Sequence, residues 1–313
     1  MRVAIIDVGS NSIKLLVADL PPAGPLREVG SMTLEVRISS GIGAVTPRLG
    51  AEGIEHGVSA IARLAAEARN LGADPILAVA TSAVRDASNG AGFRDRVKAD
   101  TGLDLRILTG LEEANLIGRG LTTDPALERL RDFYVFDLGG GSLECLFFRE
   151  RAVDLAVSLP LGCVRMTEKF IVDPSSALGE KSAREIGDHV KAELLRSGFP
   201  FPIQASAAVV GTGGTLTTVR AMVAARRGVR LAQTDALIRV PLLREVLAEV
   251  TGLNLAARER IAGLPPTRAD VFPAALVTLL ALAETGGFDG FHHSLHNLRW
   301  GVAAEACGAS RRP

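Results

Sequence analysis

Val3–Val17 reads VAIIDVGSNSIKLLV, and Val135–Phe148 reads VFDLGGGSLECLFF. The second stretch repeats the first 130 positions later, so that Asp7 falls on Asp137, Gly9 on Gly139 and Ser12 on Ser142. Each copy is an apolar run, an acid, a Gly/Ser turn and an alternating apolar stretch. That pattern predicts two strands joined by a tight turn. The backbone N–H groups and hydroxyls of such a turn suit an anion, and the acid stands at its rim. Two copies imply two related lobes. Turns facing each other across a cleft would hold a phosphate chain and a divalent cation between them.

The rest of the chain fits an α/β fold with a mixed sheet in each lobe. Strands are expected at Val3–Ile6, Ile13–Asp19, Val29–Val36, Ile76–Ala80 and Leu105–Leu108. Helical spacing predicts helices at Gly53–Asn70, Gly92–Asp100 and Leu111–Leu121. The polar segment Thr122–Asp132 reads as a connection between lobes. After the second strand–turn–strand, strands are expected at Ala152–Ser158, Ala207–Val210 and near Phe288–Ser294. Helices are expected at Val164–Phe170, Ala183–Leu195, Leu216–Ala225, Leu242–Val250, Val271–Thr285 and near Leu298–Ala306. Gly308–Pro313 is expected to fray.

Composition narrows the function. At 313 residues there is room for two cores. Aromatic residues make up 4% of the chain, which argues against a nucleic-acid surface built on stacked rings. Formal net charge is zero, so no whole-molecule field draws in nucleic acid or membrane. The 30 Arg against 5 Lys include the better bidentate phosphate ligand, although GC-rich coding explains most of them. Three cysteines at no metal-type spacing read as reduced thiols of a cytoplasmic protein. The chain opens directly into a strand with no leader pattern, and no apolar stretch reaches bilayer length.

Three further segments carry chemistry. Val209–Thr215, VVGTGGT, precedes a helical pattern. Gly213 and Gly214 let backbone approach an anion, with Thr215 either a hydroxyl donor or a plain N-cap. Thr109–Ala114, TGLEEA, spaces Thr109 and Glu112 as a capping box. That leaves Glu113 with no local partner, as a general base for water. In Ala80–Asp86, ATSAVRD, Arg85 is placed to grip a phosphate, or else to pair with Asp86. No segment matches the GxxxxGK[ST] loop of Walker-type ATPases. His292, His293 and His296 are close in sequence, but they lack a further ligand for zinc.

Together these segments resemble the exopolyphosphatase / guanosine pentaphosphate phosphohydrolase (Ppx/GppA) family. IDVGSNSIKLLV, ATSAVRDASNG, LTGLEEA, VFDLGGGSLE, SLPLGCVRMTE, VVGTGGT, PPTRADVFPAAL and HNLRWG stand in the family's order across nearly the whole chain. The resemblance implies a duplicated actin/Hsp70/sugar-kinase-like (ribonuclease H-like) fold. Its lobes would be residues 1–121 and 122–297, with a C-terminal helix, about 298–308, packing back on the first lobe. It implies Glu113 as catalytic base, with Asp137 as a second catalytic residue. Gly9, Ser10, Asn11, Ser12, Arg85, Gly139, Gly140, Gly141, Ser142, Gly213, Gly214 and Thr215 would bind phosphate. Asp7, Asp137 and Glu144 would hold Mg²⁺ (or Mn²⁺).

The activity implied is release of orthophosphate from the end of inorganic polyphosphate by a cytoplasmic homodimer. Guanosine pentaphosphate is the alternative substrate. A sugar kinase or Hsp70-like ATPase and a non-catalytic alarmone or polyphosphate sensor are the other readings. Two positions depart from the family pattern: Leu143 replaces a hydroxyl residue, and Trp300 stands where an acid is usual. The chain also lacks the helical C-terminal module of larger members, which implies a preference for short polyphosphate.

Overall fold

In the computed structural model, residues 1–19, 21, 24–39 and 46–310 are described. The chain divides into two compact units, Met1–Arg129 with His296–Pro313, and Leu130–Leu295.

Unit 1 is built on five strands: β1 (Arg2–Val8), β2 (Ser12–Asp19), β3 (Arg27–Glu35), β4 (Ile76–Ala80) and β5 (Leu105–Ile107). They lie in the order β3-β2-β1-β4-β5. The first three form an antiparallel meander, and β4 and β5 add in parallel. Helices α1 (Ala51–Asn70), α2 (Ser82–Arg85) and α3 (Gly90–Thr101) provide the crossovers, and α4 (Gly110–Leu121) follows β5. β1 is buried along most of its length because neighbours flank it on both sides, so it reads as a continuous apolar run.

Unit 2 repeats this plan. Its helices are α5 (Cys163–Phe170), α6 (Glu180–Arg196), α7 (Gly214–Arg227), α8 (Val240–Thr251), α9 (Leu255–Arg258) and α10 (Phe272–Gly286). Its strands are β6 (Phe133–Leu138), β7 (Leu143–Arg149), β8 (Ala152–Leu159), β9 (Ala208–Thr212), β10 (Leu237–Arg239) and β11 (Gly290–His293). The order is β10-β11-β9-β6-β7-β8. Reading β8-β7-β6-β9-β11 against β3-β2-β1-β4-β5 gives the same meander and the same parallel additions. The short strand β10 and the four-residue helices α2 and α9 escape the sequence pattern. Three or four residues are too few to show a period.

The last helix, α11 (Leu298–Ser310), belongs to unit 1 and packs on α4 and β1. Two glycines make the contact with α4 possible. A Cβ on Gly301 would lie 1.7 Å from the Leu116 carbonyl oxygen, and one on Gly120 would lie 2.1 Å from that of Asn297. Trp300, the departure from the family pattern, is buried with Leu16 and Ala18 and stacks on His296 at 3.7 Å between ring centroids. Gly301→Ala must separate the two helix backbones. We expect the melting temperature to fall by about 5 °C or more, since overpacking costs on the order of 1–3 kcal/mol even where only side chains must give. Differential scanning calorimetry reads the shift.

Candidate functional site

The two acid-and-glycine turns are closed by the same hydrogen bond. Gly9 N–H donates to the Ser12 carbonyl at 3.2 Å, and Gly139 N–H to the Ser142 carbonyl at 3.0 Å. Around that shared hairpin the units differ. In unit 2 the start of α5 covers the turn from behind: Cys163 N–H and Val164 N–H donate to the carbonyls of Gly139 and Gly140. A Cβ on Gly162 would lie 2.3 Å from Gly140 and Gly141, so only glycine admits this approach. The carbonyls of the turn are thereby spent. Its N–H groups at Gly140, Gly141 and Ser142 make no bond among the described residues. This is the donor set an anion needs.

In unit 1 the turn is braced through Asn11. Its carbonyl accepts from Val36 and Arg37 N–H, its amide donates to Glu35 at 2.9 Å, and its side-chain oxygen accepts from Arg37. The Asn11 side chain is committed to the scaffold, which leaves the backbone of the turn as its possible contribution. Ser10 Oγ stands 3.4 Å from Ser82 Oγ at the start of α2.

Strand register gives the three acids expected at a metal different neighbours. Asp137 is paired with Glu144 on β7 and with Thr212 on β9, and Glu144 accepts a hydrogen bond from Ser158 at 2.8 Å. Four polar side chains thus form one row across the sheet of unit 2. The matching position in unit 1 pairs Asp7 with Lys14, exactly 130 residues before Glu144. One copy therefore sets a cation beside its acid, and the other sets a second carboxylate there. Burial pushes the Asp7 carboxyl up, while Lys14 and Arg299 pull it back down. Asp7 lies in unit 1, whereas Asp137 and Glu144 lie in unit 2. Among the described residues no group of three or more His, Cys, Asp or Glu side chains is placed to hold a metal ion. Two carboxylates fit Mg²⁺, which is usually held by one or two carboxylates with phosphate oxygens and water.

The third glycine element folds at the end of β9. Gly213, with φ of +100°, is the residue before α7, so the cap position belongs to it rather than to Thr215. A Cβ there would lie 2.6 Å from the Leu138 carbonyl and 2.8 Å from Asp137 Oδ1. The hydroxyls of Thr212 and Thr215, on either side of the glycine pair, are buried with no hydrogen-bond partner among the described residues. Orphaned buried donors at a helix N-terminus mark a place for an anion. Arg268 supplies a cation that the motif reading gave no role: its guanidinium lies against Gly214, where a Cβ would meet Nη1 at 2.5 Å. The arginine within PPTRADVF was the available signal.

Local spacing offers Glu113 no partner, and the fold supplies a distant one. Glu113 accepts a hydrogen bond from Arg85 Nη1 at 2.6 Å across 28 residues. Local spacing is blind to such a pair, because β4 and β5 lie side by side and bring the end of α2 to the start of α4. Arg85 also donates to the Leu108 carbonyl at 3.1 Å and to Asp86 at 3.3 Å. It is thus a brace for Glu113 as well as a candidate phosphate ligand. The capping box is present, and the Thr109 backbone N–H, Arg106 and the Thr109 hydroxyl hold Glu112 down at about 2.

The histidines are engaged elsewhere. His293 bonds to Thr217 and Arg220, and His296 bonds to Thr123. Leu143 is fully buried in β7. A cleft of about 720 Å³ in unit 2, lined in part by Ala208, Arg239 and Arg244, opens at the start of β9. The glycine turn is at the other end of that strand. Ligands of parallel sheets bind at the carboxyl ends of the strands, so the turn rather than this cleft marks the chemistry.

A duplicated actin-like α/β fold, with an acid-and-glycine turn in each unit, defines a phosphate-handling class. The model of the Ppx/GppA phosphatase family matches residues 17–307. The chain belongs to that family. It is 33% identical over 322 aligned residues to Exopolyphosphatase 2 of Mycobacterium tuberculosis, covering 98% of this chain and 99% of that one. Among solved structures, the Aquifex aeolicus member of the Ppx/GppA family is 25% identical with a TM-score of 0.77, covering 100% and 99% of the two chains. An exopolyphosphatase from Cytophaga hutchinsonii, 20% identical with a TM-score of 0.86 over 99% and 98%, shares the fold.

Proposed function

We propose that this chain is an exopolyphosphatase, hydrolysing the terminal phosphoanhydride of inorganic polyphosphate and releasing orthophosphate. The observation that carries the proposal is the row Thr212–Asp137–Glu144 at the mouth of two glycine turns whose donors are unspent. Near full-length likeness to a protein named an exopolyphosphatase supports the substrate.

Each unit carries groups suited to part of this chemistry. The N–H groups of Gly140, Gly141 and Ser142, the start of α7 at Gly214 and Thr215, and the Gly9–Ser12 turn would take charge from the phosphoryl oxygens. Arg85 would add a bidentate cation when it reaches phosphate. Asp137 and Glu144 would hold Mg²⁺ or Mn²⁺, which when bound supplies charge neutralisation at the phosphoryl group. Asp7, flanked by Lys14, is the least suited of the three acids to that task. Glu113, fixed by Arg85, would orient the attacking water and accept its proton.

Cys145 and Cys163 are buried and form no disulfide among the described residues, which fits a reducing compartment such as the cytoplasm. No helix among the described residues is long and apolar enough to cross a membrane. A homodimer is the assembly proposed from the family resemblance, and light scattering on the purified chain reads it.

Orthophosphate release should be measured side by side on polyphosphate, guanosine pentaphosphate and ATP with 5′-phosphate acceptors, with Mg²⁺ present and removed by chelation. We expect metal-dependent release from polyphosphate, faster than from the nucleotides. Faster release from guanosine pentaphosphate would reassign the substrate. Binding without turnover would leave a sensor.

A further inference from the structure

We propose that His293 is a positioning residue for the third glycine turn. It would act through Thr217 and be held by Arg220 as the tautomer with its proton on Nε2. The link to turnover rests on the phosphohydrolase reading above; the hydrogen-bond chain stands apart from it.

Arg220 projects from α7 and is 7% exposed. Its Nε donates to Thr234 Oγ1 at 3.0 Å, and its Nη2 to the carbonyls of Leu231 and Thr234 at 3.0 and 3.1 Å. Nη1 lies 3.1 Å from His293 Nδ1. A guanidinium has donors only, so Nδ1 must accept. The neutral ring then carries its proton on Nε2, which stands 3.2 Å from Thr217 Oγ1. That hydroxyl, having accepted from the ring, gives its own proton to the Gly213 carbonyl at 3.0 Å. One donor-only group at the start thus sets the direction of every bond, and the chain ends on the glycine turn.

The ring is anchored by its strand. His293 is the β11 partner of Gly211 on β9, and its N–H donates to Ala236 at 2.8 Å. The next N–H, of Ser294, donates to the Gly211 carbonyl at 3.0 Å. The carbonyl it controls is no ordinary one. Gly213 has φ of +100°, a conformation with shallow energetic preference in glycine. Its C=O and the N–H of Gly214 belong to one planar trans peptide and point in opposite directions. The same oxygen accepts the Thr217 N–H at 3.3 Å, so the hydroxyl reinforces a helix bond that aims the Gly214 N–H away from the helix, where an anion would sit. An ordinary satisfied core histidine and a Thr back-bond to the preceding turn would use the same atoms, but they predict no effect on phosphate.

The test uses the full chain. Long-range ¹H–¹⁵N correlation on ¹⁵N-histidine-labelled protein should give His293 the Nε2–H tautomer; the Nδ1–H form would overturn the proposal. Thr217→Val removes the hydroxyl and keeps the shape, and Thr217→Ser restores it. With tripolyphosphate and Mg²⁺, Thr217→Val should raise KM about tenfold, the loss expected for a hydrogen bond of this kind, with kcat within about twofold and Thr217→Ser close to wild type. Calorimetric Kd for tripolyphosphate should move with KM. A folded Thr217→Val protein with unchanged KM and Kd would leave these groups purely structural and refute the inference. A wild-type chain that bound tripolyphosphate without hydrolysing it would instead count against the enzymatic reading, and the Kd and tautomer arms would still decide this one.

Discussion

Glu113→Gln is expected to lower kcat on polyphosphate by about 10²–10⁴-fold, the range typical of a lost general base, with little change in melting temperature. Glu113 sits in the first turn of α4 and is 6% exposed. Its Oε2 takes a hydrogen bond from Arg85 Nη1 at 2.6 Å. Truncation to Ala would leave the Arg85 charge without that partner in a mostly enclosed place, and removing one partner of a buried pair costs about 3–5 kcal/mol. Gln keeps the length and an oxygen that accepts from Arg85, so it separates chemistry from folding. What it lacks is a carboxylate to orient water and take a proton. Single-turnover phosphate release, with thermal melting alongside, reads both. A fall in kcat of less than about tenfold would remove Glu113 from the base role and leave it as the brace of Arg85.

Gly213→Ala should abolish most phosphate release, by about 10²-fold or more, because a misplacement of about 1 Å at a reacting centre has that effect. The added methyl would meet the Leu138 carbonyl at 2.6 Å and Asp137 Oδ1 at 2.8 Å. The Leu138 carbonyl is backbone and cannot swing aside, and displacing the Asp137 carboxylate would move an acid of the site itself; both belong to the end of β6 that carries the site. The backbone term alone, for a non-glycine residue at φ of +100°, costs about 1–3 kcal/mol. Gly228→Ala is the matched control. It stands at the far end of the same helix with φ of +63° and has open space around the position of its Cβ. That variant should lose about 1 kcal/mol of stability and keep its kcat. Equal losses of activity in both variants would mean that α7 as a whole, rather than its first turn, matters.

Much of the fold could be read locally. Alternation and Gly/Ser punctuation located both hairpins, and helical periods located every helix longer than four residues. The capping box of α4 was legible because Thr109 and Glu112 are three residues apart. The site was only half legible. The glycine turns carry their chemistry in consecutive residues. The partners of Glu113, Gly214 and Thr217 come instead from Arg85, Arg268 and His293.

What the amino-acid sequence determined alone was the repeated acid-and-glycine hairpin, and with it a duplicated α/β architecture. Those features depend on φ, ψ and hydrogen bonds within a few neighbouring residues. What only the tertiary structure decided was the setting of each copy beyond its own hairpin. Pairing of β1 with β4 puts Val79 beside Asp7, whereas pairing of β6 with β9 puts Thr212 beside Asp137. It also decided that Arg85 holds Glu113. Electrostatic partners are chosen by which strands lie side by side, and that order is settled by burial of the sheet as a whole rather than by any short stretch of chain.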